Sequence, residues 1–95
     1  MQIPKKVNIL GRQYSIIFQD ERKTGNDNLG SHWGKETSIF LNKNQDQQAV
    51  ESCFIHEILE AINYLQNINL KHHQIKLFET GLYQVIKNNK WKREG

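Results

Sequence analysis

The chain has 95 residues, 37% of them hydrophobic, with 13 basic and 10 acidic side chains and a net charge of +3. That length supports one small domain with a single core, and so mild a charge, with no recognised binding motif beside it, points away from nucleic acid. A single cysteine excludes an internal disulfide, and the opening MQIPKKVNIL, broken by Pro4 and two lysines, offers neither a signal peptide nor a spanning segment, so a cytoplasmic protein is expected.

Val7 and Ile9 alternate with polar neighbours, Gly11-Arg12 marks a turn, and Tyr14, Ile16 and Phe18 alternate again. Period-two patterning on both sides of a turn predicts a β-hairpin. Asp20 to Gly30 is polar and rich in turn formers, which predicts a surface loop. Ser31 to Gly34 and Thr37 to Asn42 flank Gly34-Lys35-Glu36 and read as a second hairpin. In its return strand Ile39 and Leu41 share one face, while Ser38, Phe40 and Asn42 share the other. Asn44 or Asp46 is placed to cap the helix that follows.

That helix carries the most informative stretch, Ser52 to Leu65, SCFIHEILEAINYL. Val50, Cys53, Phe54, Ile55, Ile58, Leu59, Ala61, Ile62 and Leu65 make it apolar around most of its girth, which predicts a central, largely buried helix ending near Gln66-Asn67. His56 and Glu60, four residues apart, lie on the same face, and Glu57 flanks them. This is the spacing of the HExxH zinc helix with the second histidine replaced, HExxE, and zinc accepts carboxylate oxygen as well as imidazole nitrogen. Ionisable groups in an apolar setting are costly unless paired or bound to metal.

After a short connection, Ile68 to Lys71, a second helix is expected from about His72 to Asn89, with Ile75, Phe78, Leu82, Val85 and Ile86 as its core stripe. Glu79 lies at the edge of that stripe, His72 projects on nearly the same side, and His73 points away. Lys87, Lys90, Lys92 and Arg93 gather with Trp91 in a basic tail from about Lys87, as suits a solvated helix terminus. His32, Trp33, Tyr64 and Tyr83 read as ordinary strand, packing or surface residues. The order of elements predicts an α+β fold, a small antiparallel sheet of two hairpins packed against two antiparallel helices. Two such helices can bring His56 and Glu60 opposite His72 or Glu79, giving three protein ligands for zinc or another divalent transition metal and a fourth position for water, with Glu57 as general base. The return strand of the second hairpin is expected beside the helix, where it could take an extended peptide by strand addition.

Two hairpins, then His56, Glu57, Ala61 and Ile62 on one helix, then His72, Ile75, Glu79, Leu82, Tyr83 and Gln84 on the next resemble the small zincin-like proteins of phages and prophages. These are similar to the minimal gluzincin core shared with ImmA/IrrE-like peptidase domains. The resemblance runs from Val7 to about Asn88, with the strands contributing pattern more than identity. It implies a single zincin-like domain and a metallopeptidase acting on a protein or peptide, with His56 and Glu79 as metal ligands and Glu57 as base. The chain departs from the family at Glu60, where the motif has its second histidine. A ligand set richer in carboxylate is harder and lowers the Lewis acidity of zinc, which favours manganese, iron or another oxygen-tolerant ion. It also suits a relative that has lost catalysis and works as a binding or regulatory module on a protein partner. A magnesium-dependent phosphohydrolase using Glu57, Glu60 and Glu79 is a third reading, without the Gly-rich phosphate loop that would support it.

Overall fold

A computed structural model describes residues 1–20 and 37–89, together with the backbone of 30–33. The fold is α+β, with strands β1 (Lys6–Ile9), β2 (Arg12–Gln19), β3 (Gly30–Trp33) and β4 (Ser38–Asn42) followed by helices α1 (Gln47–Gln66) and α2 (His72–Asn88). The expected loop from Asp20 to Gly30 falls outside the described residues between 21 and 29, as does the end of the basic tail beyond Asn89. Among the described residues no helix is long and apolar enough to cross a membrane.

β1 and β2 form the first hairpin, with Ile9 opposite Arg12. The turn is therefore Leu10-Gly11, one residue earlier than the sequence suggests, and both residues have positive φ, 51° and 85°. A two-residue hairpin turn needs left-handed backbone at its centre to match the twist of the strands. Gly11 adopts it freely and donates its amide to Asn8 Oδ1 at 3.0 Å, whereas Leu10 adopts it at a steric cost while 56% exposed.

β3 and β4 form the second antiparallel pair, but β2 and β4 run parallel, from Ser15 opposite Ser38 to Gln19 opposite Asn42. The sheet is thus mixed, in the order β1-β2-β4-β3. Alternation fixes which side chains face the core and is silent on strand neighbours and direction. The order also corrects the expectation of strand addition to β4, whose two edges are taken by β2 and β3.

Ile9, Tyr14, Ile39 and Leu41 of the sheet pack on Val50, Phe54 and Ala61 of α1. Asp46 is the cap, its Oδ1 accepting the Ala49 amide at 2.8 Å. The α1–α2 contacts pair Glu51 with Tyr83, His56 with Glu79 and Asn63 with Leu70, so the helices run antiparallel.

α2 is rotated away from the packing its apolar stripe predicts. Of the five stripe residues only Ile75 is buried and Ile86 partly so, while Phe78 is 58% exposed and Leu82 and Val85 are exposed as well. The face of α1 that receives α2 carries Glu51, Ser52 and His56, so α2 turns Glu79 and Tyr83 inward to meet them.

Glu51 anchors one end of this contact. It is 2% exposed and accepts bonds from Tyr83 Oη at 2.6 Å, Gln47 Nε2 at 2.9 Å and the Met1 ammonium at 3.1 Å. The Tyr83 hydroxyl first, then Gln47, hold its carboxyl at about 2, against an ordinary 4.5. Burial and the neighbouring carboxylate push the Tyr83 hydroxyl up.

Two outcomes are expected. Leu10→Asn should raise stability by on the order of 0.5–1 kcal/mol in urea unfolding, since asparagine tolerates the left-handed turn; a loss of stability would contradict the turn geometry. A carboxyl whose folded pKa is depressed stabilises above its unfolded value and loses that contribution as pH falls. The stability gap between wild type and Glu51→Gln should therefore be full above about pH 4.5 and narrow toward about pH 2. A gap that does not change with pH would show that the carboxylate is not held as described.

Candidate metal centre

Helical spacing puts Ser52, His56 and Glu60 on one face of α1, four residues apart. His56 is the pivot. Its Nδ1 lies 2.8 Å from Glu79 Oε1 on α2, and its Nε2 lies 3.4 Å from Glu60 Oε2. His72 Nδ1, at the start of α2, is 4.0 Å from the same Glu60 oxygen. One donor atom each from His56, Glu60 and His72 lie within 4.8 Å of one another. The two imidazole rings sit 5.1 Å apart, tilted by 59°.

The connection between the helices sets His72. Asn67 closes α1 in the left-handed conformation with φ 52°, and Asn69 repeats it with φ 71°. Asn63 spans the gap, its Oδ1 accepting the Leu70 amide at 2.9 Å and its Nδ2 donating to the Leu70 carbonyl at 3.2 Å. Gln74 Oε1 then accepts the Lys71 amide at 2.8 Å, which starts α2 with His72 beside Glu60.

Glu79 is 3% exposed and has three partners. The Ser52 hydroxyl donates to its Oε2, His56 Nδ1 meets its Oε1, and Lys76 Nζ lies 3.5 Å from Oε2. An ionised carboxylate only accepts, so the hydrogen between Glu79 and His56 belongs to Nδ1. In a neutral ring this leaves a lone pair on Nε2 facing a carboxylate oxygen. Two acceptors at 3.4 Å repel unless a cation or a proton lies between them. A histidine fixed at one nitrogen by a carboxylate, with the other nitrogen free to ligate, is the usual surrounding of a metal-bound imidazole.

Of the expected site residues, the structure gathers His56, Glu60 and His72 and sets Glu79 at the opposite nitrogen of His56. Glu57 is buried on α1 and lies outside the three-residue group. The three carboxylates of the magnesium reading do not form such a group among the described residues. His73 is exposed, and the side chain of His32 lies outside the described residues. Sequence reasoning passed over Ser52, Lys76, Asn63 and Glu51. Ser52 stands four residues before His56 and shares its face, so helical spacing alone offered it. The Asn63 bridge has no such signal, because it depends on the path of the connection. Compared with known proteins, the chain matches no family model, no curated protein and no solved structure.

Glu79→Ala removes the acceptor of two hydrogen bonds and the ion-pair partner of Lys76, and should cost about 2–4 kcal/mol in urea unfolding. Glu60→Ala, at a partly exposed position, should cost less than about 1 kcal/mol. Equal losses would contradict the division of roles between these carboxylates.

Proposed function

We propose that this chain is a metal-dependent hydrolase of minimal zincin-like type, most simply a peptidase, with His56, Glu60 and His72 as metal ligands. One observation carries the reading: three donor atoms converge within 4.8 Å around a histidine whose other nitrogen is held by a buried carboxylate. The donor set fits zinc or a related divalent transition metal. Ligands at 2.0–2.1 Å from tetrahedral zinc stand roughly 3.3 Å apart, close to the 3.4 Å between His56 Nε2 and Glu60 Oε2. His72, 75% exposed at its side chain, would close onto the ion from the solvent side. A metal there would supply Lewis acidity toward a substrate carbonyl. The general-base role is proposed for Glu57 from the motif spacing alone, since it is buried beside His56 in the chain and outside the three-residue group. In this arrangement Glu79 and Ser52 orient His56 and do not ligate. A cytoplasmic setting belongs to the proposal and suits the free thiol of Cys53.

A second reading is favoured by the same distances. A doubly protonated His56 would donate to Glu79 at 2.8 Å and face Glu60 at 3.4 Å, pinning the helices without a metal in a protein that binds a partner rather than cuts it.

Elemental analysis of untagged protein separates the two. About one equivalent of a transition metal is expected, lost in His56→Ala and Glu60→Ala. Glu57→Gln should keep the metal and lose peptide hydrolysis. A folded protein that arrives metal-free and takes up no zinc, manganese or iron(II) on titration would sink the hydrolase reading and leave the second.

A further inference from the structure

We propose that Lys76 sets the specificity of the metal centre, its ammonium receiving a carboxylate of the substrate one or two residues from the bond that is cut. The inference rests on the hydrolase reading and adds a substrate class to it.

Position carries it. Lys76 follows His72 by four residues and so stands one turn along the same face of α2, about 6 Å further by helical rise. The two basic neighbours of His72 do not share that face. His73 is about 100° round the helix, and Lys71 is in phase with Phe78 and Leu82 on the outer side. Lys76 Nζ lies 3.5 Å from Glu79 Oε2, the carboxylate whose other oxygen holds His56. The same ammonium is felt on α1. Burial, then Glu57 and Glu79, push the Cys53 thiol up, and Lys76 draws it back down. Cys53 stands three residues before His56, so Lys76 reaches toward α1 on the side where His56 meets Glu79.

Holding Glu79 accounts for little of this. Ser52 and His56 already fill its two oxygens at closer range, and an exposed ion pair adds little to stability. The Lys76 side chain is 62% exposed, and an ammonium has three donors to offer. Glu60 and Glu79 flank His56, so a substrate carboxylate approaches only where a cation meets it. An extended residue spans about 3.3–3.6 Å, which puts that carboxylate one or two residues from a carbonyl held at the metal.

Calorimetry on the zinc-loaded chain tests this without turnover, using two probes that grip the metal through a hydroxamate. One is the monohydroxamate of succinic acid and the other its primary amide, which lacks only the charge. Wild type should bind the carboxylate probe about ten-fold more tightly than the amide. Lys76→Met should keep the metal and bind both alike, and Lys76→Arg should restore the preference. Equal binding by metal-loaded wild type overturns the proposal and leaves the metal centre standing, as does a preference that survives Lys76→Met. Equal weakening of both probes in Lys76→Met also overturns it, since Lys76 then serves only Glu79. A chain that takes up neither metal nor probe sinks the hydrolase reading and this one together. Peptides then name the source of the carboxylate, those with a free C-terminus against amidated ones with an internal glutamate. Competition with the probe no better than that of an uncharged amidated peptide overturns the proposal.

Discussion

Buried carboxylates on the α1–α2 contact govern the geometry of the rest. Glu51 and Glu79, both almost wholly out of solvent, are held by hydroxyl, amide and imidazole donors from α1 and α2, with the Met1 ammonium added at Glu51. A buried charge is tolerable only when its acceptor sites are filled, and the side-chain partners here sit at set helical positions. The result is a docking of α2 specified by hydrogen-bond geometry, which is directional, where an apolar seam would have tolerated sliding. Ile75 of α2 is buried as well, and Ile86 partly so.

This polar docking explains two features that look unrelated. Turning Glu79 inward fixes His56 at Nδ1 and presents Nε2 to Glu60 and His72. The same rotation carries Phe78, Leu82 and Val85 out of the interface into solvent. The converging donors on one side of α2 and the bare apolar stripe on the other are two consequences of one choice of helix face.

The features legible in the sequence were those that depend on local periodicity. Ile39 and Leu41 alternate and are buried together; Asp46 precedes the apolar run and caps it; His56 and Glu60 are one helical turn apart and do meet. What escaped depended on partners far along the chain. Strand alternation carries no information on whether β2 neighbours β4 or in which direction, so the parallel seam was invisible. The stripe on α2 was read correctly as a stripe and assigned to the wrong surroundings. Periodicity finds the apolar face of a helix, while the decision to bury a polar face rests on what α1 offers in return.

The Asn63 bridge has a consequence for the length of the chain. Its amide grips Leu70 at both backbone groups, and two asparagines in left-handed backbone spend the residues between. The span from His56 to His72 is thereby a spacer of set length. Each residue added or removed before α2 would turn that helix by about 100°, and a neighbour such as Phe78 or Thr80 would be swung toward His56 in place of Glu79. The number of residues in the linker is as much a determinant of the centre as the identity of its side chains, and a chain of identical site residues with a linker one residue longer would not build it.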